Sequence, residues 1–332
     1  HLDDWSGMDM DDIRQKDTFV RLVDCPSTVC SSIVLDNAWL EFGGDGVHRT
    51  CAYKRIYRTG RGIDLTVTGD VTLTNKARFV VRGGITNGNV GAINRDVART
   101  NSTFGARSAE NAVLAGTVSV GGTLTVEGCR FGENRLYAGT GSNIRPRGGA
   151  IAAVGANLFV ERSQFMTNWV QDTNANGRYH YAGAIYLQDA SAAEIADSTF
   201  AGNYVTHGDS CTYHDRWGFG GAMRVLDSRK VTIRDSLFDG NGVRTYDSTY
   251  PRRLLGGTMS LEGSEVTMLR TVIRRGGRYL ATPTKYCAGG VDVQDGTLAM
   301  TNVVICDTWA GWALGNSGGT ITAKNCTIAG LE

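Results

Sequence analysis

Short runs in which apolar and polar residues alternate at a spacing of two recur along the whole second half of the chain. In Leu158-Phe159-Val160-Glu161 the alternation puts Leu158 and Val160 on one side and Phe159 and Glu161 on the other, which is a strand period and not a helical one. Placed one above another, the runs form apolar columns. One column is Leu124, Leu158, Ala193, Val231, Val266, Leu298, Ile321; the next is Val126, Val160, Ile195, Ile233, Met268, Met300, Ala323. Five residues further on come Phe131, Phe165, Phe200, Phe238, Ile273, Ile305 and Ile328, each preceded two places earlier by a small or slender residue such as Cys129, Ser163, Ser198 or Ser236. Three residues after the aromatic position stand Asn134, Asn168, Asn203 and Asn241.

Each unit opens on a pair of small residues followed by an apolar step: Gly148-Gly149-Ala150-Ile151, Ala182-Gly183-Ala184-Ile185, Gly220-Gly221-Ala222-Met223, Gly256-Gly257-Thr258-Met259 and Gly289-Gly290-Val291. Counted on the second small residue, the units are separated by 34, 38, 36 and 33 positions. A repeat of this length whose units cannot bury their apolar side alone implies a solenoid, with the columns stacked along its axis about 4.8 Å apart. The expected fold is therefore all-β, a single-stranded right-handed parallel β-helix of about eight to ten coils. The Phe column should lie inside, its rings in offset or edge contact. The Asn column should sit at a coil corner, in a left-handed backbone conformation, with its amide bonded to the neighbouring coil. The small pair should permit a tight bend.

Residues 111–332 carry the regular coils, expected to continue past the last rung into more chain, another domain or a sister subunit. Residues 18–110 read as a cap and irregular first coils, with strands at Cys30–Leu35, Ile63–Val67 and Val71–Thr74, and residues 1–17 as a solvated acidic segment. Composition agrees: 44 glycines and 4 prolines suit many short strands joined by tight turns. A formal net charge of +1 supplies no field for nucleic acid, and no apolar run reaches the length of a membrane span.

The pairing of Gly148-Gly149-Ala150-Ile151 and its variants with Phe-x-x-Asn at Phe131, Phe165, Phe200 and Phe238 resembles the repeat of the chlamydial polymorphic outer membrane proteins, over about residues 112 to 330. Related repeats occur in secreted β-helical proteins of the pectate-lyase-like class. The resemblance implies a surface-exposed β-helix with an adhesive or structural role. Eight cysteines without metal spacing, and the sequons at Asn101 and Asn325, point independently to an extracellular or cell-surface glycoprotein. Cys30 to Cys51 and Cys287 to Cys306 are the expected disulfides. No metal or cofactor is expected.

Chemistry concentrates in long inserts that precede the small pairs and should stack on one side of the rod. They carry Tyr179, His180 and Tyr181; Tyr213, His214, Asp215, Arg216 and Trp217; Tyr250, Arg252 and Arg253; and Tyr279. Flat rings with charged groups around them suit an extracellular glycan or a protein partner, and copies of the chain itself are a further candidate partner. As a catalytic alternative, a polysaccharide lyase or hydrolase would use His180 or His214 as base, Tyr213 as acid and Arg216 to neutralise a uronate. The motif sets of known polygalacturonases are absent, so the leading expectation is a non-catalytic, glycan-binding or structural β-helix.

Overall fold

The computed structural model describes, as backbone, the strands at residues 9–16, 19–22, 27–36, 39–42, 64–67, 71–74, 78–81, 85–87, 97–99, 102–104, 113–115 and 118–120. It then describes residues 121–132, 135–138, 145–172, 179–207, 217–244, 253–277, 288–309 and 312–331. Every described element is a strand, and all but one of the strand pairings are parallel; Asp64–Val67 with Val97–Arg99 is antiparallel. The chain winds as a right-handed parallel β-helix-like solenoid, with about four turns in its best-defined part.

One coil shows the plan. After the small pair come a first strand (Ile185–Gln188), a second (Ala193–Ala196), a third (Thr199–Ala201), a fourth (Tyr204–His207) and a fifth (Trp217–Phe219). Each pairs in parallel with its counterpart one coil away, and the register is the one the columns require. Leu158 pairs with Ala193 and Ala193 with Val231; Phe131 pairs with Phe165, Phe165 with Phe200 and Phe200 with Phe238. The same third-strand column continues through Ile273 and Ile305 to Ile328. Like side chains stack because a parallel ladder in constant register repeats the same inward position every coil.

The four phenylalanines are wholly buried and stacked in parallel, centroids 4.6–4.8 Å apart and planes within 2–6°. Of the expected offset or edge contacts, the edge form does not occur among these four: the rings stack in parallel, with the coil rise setting their spacing. The serine column is equally regular. Ser163 and Ser198 each donate a hydroxyl to the carbonyl two residues back (Glu161 and Ala196) and accept the N–H of the preceding coil (Cys129 and Ser163).

The asparagines bond to the neighbouring coil as expected, but they do not adopt the left-handed conformation. That conformation belongs to the residue before each, Thr167 (φ 55°), Gly202 (φ 62°) and Gly240 (φ 62°), which turns the chain so that the asparagine points inward. Asp9–Lys16, expected to be part of a solvated terminus, is a strand in register with Ser27–Asp36. Phe19 pairs with Trp39 only 20 residues on, and Ile305 with Ile328 only 23 residues on, whereas Phe131 to Phe165 takes 34. A coil therefore closes with three strands; the fourth and fifth strands and the insert between them are an arm added to it.

The glycine pair makes that arm possible. A Cβ on Gly149 would lie 2.9 Å from the backbone N of Trp169, one on Gly183 2.5 Å from that of Tyr204, and one on Gly257 2.9 Å from that of Gly277. These glycines pinch the coil shut against the start of the fourth strand, sealing the apolar core on one side and releasing the arm on the other. The bend itself falls on the first member of the pair, with φ of 63° at Gly148, 58° at Ala182 and 61° at Gly220.

Candidate functional site

Because the arm leaves and returns at the pinch, its fifth strand doubles back over the outward side of the first strands. The outward column there is Ala152, Tyr186, Arg224, Ser260, Asp292. Outward positions of a surface sheet normally meet solvent, yet Tyr186 and Ser260 are fully buried, Arg224 is 2% exposed and Asp292 5%.

Fifth-strand residues supply the cover. The Arg224 guanidinium carbon stands 4.3 Å from the ring centre of Phe219 and 5.8 Å from that of Tyr181, and those two rings stack at 5.1 Å. Arg147 sits 4.7 Å over Tyr186. Its guanidinium and the Tyr186 hydroxyl both donate to Oε1 of Gln188, each at 2.7 Å, and Gln188 donates onward to Asp189. Arg224 donates to Ser260 and forms an ion pair with the half-exposed Glu262, while its Nε, like that of Arg147, is buried without a hydrogen-bond partner.

Carboxylates surround this buried cation. Asp292 receives one bond, from Gln294 Nε2 at 2.8 Å, and burial raises its carboxyl above the usual range; Gln294 and Arg224 only partly offset that, and Glu262 adds to it. Asp227 is raised in the same direction, by desolvation first and then by Asp189 and Glu262. Burial likewise pushes the Tyr186 phenol upward. A fixed arginine held between aromatic faces, beside carboxyls whose ionisation burial disfavours, can hold a polar or charged ligand. Among the described residues no three His, Cys, Asp or Glu side chains converge to hold a metal.

Several residues singled out in the sequence lie on these fifth strands, and Tyr181 is one of those that cover the floor. Tyr179, Trp217 and Arg253 occupy one register position of the fifth-strand column; His180 shares the next with Gly218 and Leu254, and Tyr181 the next with Phe219 and Leu255. Tyr213, His214, Asp215, Arg216, Tyr250, Arg252 and Tyr279 lie outside the described residues, as do Cys51, Cys287 and Asn101. Cys30 lies in the strand Ser27–Asp36. Asn325 is exposed at the corner between the second and third strands, with φ of 52°.

Cys306 carries a free thiol, and its expected partner Cys287 lies outside the described residues. It sits beside Ile305 on the outward side of a third strand, paired with Arg274. Cys129 and Cys326 are free as well, and burial pushes the Cys129 thiol up to about 12, which leaves it unreactive.

Sequence reasoning passed over Tyr186, Arg224 and Asp292. Their only signal was position, the residue after the inward apolar step of each unit opening. Comparison of the chain with family models, curated proteins and solved structures finds no match in any of the three.

Proposed function

We propose that this chain is an extracellular or cell-surface β-helix of eight to ten coils, built on the repeat of the polymorphic outer membrane protein type, that binds a glycan or protein partner on its insert side without catalysing a reaction. The observation that carries this reading is the buried Arg224–Asp292 floor beneath the strands bearing Tyr179, His180, Trp217 and Arg253. A junction that only fastened an arm to a coil would do so with apolar contacts, as Ala152 does in the same column. Burying a guanidinium and a carboxyl costs stability that apolar side chains of similar size would not, and buried, perturbed groups of this kind cluster at functional sites. The exposed sequon asparagine Asn325 agrees with a secretory route.

The test is a glycan array probed with the whole chain, followed by titration of the best ligand against His180→Ala, Trp217→Ala and Arg253→Ala. Weakened binding with unchanged melting supports the insert side as the site. A chain that retains no glycan and no cell-surface partner removes the reading.

A second reading, a lyase or hydrolase acting on an acidic glycan at the same face, is favoured by one observation: the raised carboxyls of Asp292 and Asp227 lie beside a fixed arginine. Incubation with uronate polymers and detection of unsaturated or reducing-end products decides between the two.

A further inference from the structure

A second patch lies one face away from the insert side, on the outward surface of the second strands. There the column Glu127, Glu161, Ala196, Arg234 runs beside the column Thr125, Phe159, Glu194, Thr232. Ala196 is the smallest member of its column and leaves a notch between Glu161 and Arg234. The result is an open depression of about 220 Å³, lined by Thr125, Phe159, Glu161, Glu194, Ala196 and Arg234. Phe159 is 37% exposed, a large apolar ring on a surface otherwise polar.

The charge around the depression is unequal. Arg162 is shared by Glu127 and Glu161; Arg234 is shared by Glu194, Asp197 and Asp235; and Arg270 also bonds Asp235. Five carboxylates thus face three guanidinium groups; Glu161, two residues along the same strand from Phe159, and Glu194, its register partner, are each about two-fifths exposed. A uronate would meet this surface with the wrong sign.

We infer that this depression is a binding subsite for a glycan carrying free amino groups, a hexosamine polymer, with the apolar face of one sugar on Phe159 and its ammonium between Glu161 and Glu194. A basic peptide would satisfy the charge equally well. It would gain nothing from its main chain here, however, because the backbone groups of these strands are already paired in the parallel ladder. The site is distinct from the insert side and does not depend on it.

The experiment is titration of the whole chain, by calorimetry, with a glucosamine hexamer, its fully N-acetylated counterpart, a galacturonate hexamer and oligolysine. The glucosamine hexamer should bind and weaken with added salt, since the contacts are exposed. Phe159→Ala should weaken it roughly fivefold, the scale of one lost aromatic face. Glu161→Gln with Glu194→Gln should weaken it about tenfold or more, the scale of a lost charged hydrogen bond. Thr232→Ala, one coil further along and outside the depression, should leave it unchanged. All of these positions face outward, so circular dichroism and melting should match the parent. Equal or tighter binding of the galacturonate hexamer, indifference to the glutamine variants, or preference for oligolysine would overturn the assignment. The insert-side variants His180→Ala and Arg253→Ala should not alter this titration, which keeps the two sites separable.

Discussion

Asn168 gives both its backbone N–H and its side-chain Nδ2 to a single atom, Oδ1 of Asn203, at 2.9 Å each. Asn203 repeats the arrangement on Asn241, and each side chain also donates to a carbonyl of the preceding coil, Asn203 to Phe165 at 2.9 Å. All three asparagines are fully buried. Replacing Asn203 with Ala therefore removes the acceptor of the Asn168 backbone N–H and the donor to the Phe165 carbonyl in a place water does not reach, while the Asn168 side chain keeps its bond to the Phe131 carbonyl. The expected loss is about 2–4 kcal/mol, the sum of two such groups, read as a lower urea midpoint with unchanged slope. A loss below 1 kcal/mol would mean that water replaces the ladder.

Two glycine substitutions should separate the two uses of glycine. Gly155 has φ of 65° and open space where a Cβ would go, so Gly155→Ala should cost only about 1 kcal/mol, the strain of a left-handed alanine. At Gly183 the same change drives a Cβ against the backbone of Tyr204 and of the next coil, neither of which can yield. Gly183→Ala should cost about 3 kcal/mol or more and lower the yield of folded protein. Thermal unfolding of the pair, compared side by side, checks the contrast.

Thr308 is fully buried, and its Oγ1 has no hydrogen-bond partner. Valine keeps the shape and removes the unsatisfied hydroxyl. Thr308→Val should thus be neutral or stabilising by up to about 1 kcal/mol; a clear loss in the denaturation midpoint would show that the hydroxyl is satisfied in solution.

Asp292 governs a pH dependence whose sign follows from its burial. Its carboxyl is raised in the fold above its ordinary value, so the ionised form is penalised there. The stability it contributes is complete below that ordinary value, 3.8, and is lost as pH rises through the raised one. Asp292→Asn should be more stable than the parent at pH 7, and the advantage should shrink towards pH 4. Asp239 runs the other way: burial pushes its carboxyl up, but Arg275 and Arg274 together outweigh burial and hold it below the usual range. Its contribution is present above the ordinary carboxylate value and lost as pH falls through the lowered one. Denaturation midpoints for Asp292→Asn and Asp239→Asn at pH 4 and 7 should therefore move in opposite senses relative to the parent.

The column register was fully legible in the chain itself, from Leu158 on Ala193 to Phe200 on Phe238 and Ile305 on Ile328. An inward position in a stacked parallel coil meets its own counterpart, so repeating residue types announce which positions touch. Even the slender residues before Phe165, Phe200 and Phe238 proved to be a hydroxyl ladder. The candidate site was legible only by half: the rings and charges of Tyr179, His180, Trp217 and Arg253 stood out as an insert face, while Tyr186, Arg224 and Asp292 did not. Their alternation marks them as outward, and outward positions are ordinarily wet.

What the sequence determined by itself was periodicity, hence strands, register and the order of the stack, because those depend on side chains one coil apart. Whether an outward residue is buried depends on chain that returns from elsewhere. The close approach of Gly183 to Tyr204 brings the fifth strand, with Phe219, back over Arg224; the small residue at Ala196 opens the depression beside Phe159. Local pattern alone fixes neither, since one arises from backbone meeting backbone across the coil and the other from side chains of successive coils standing around a small one, and only the tertiary structure decides them.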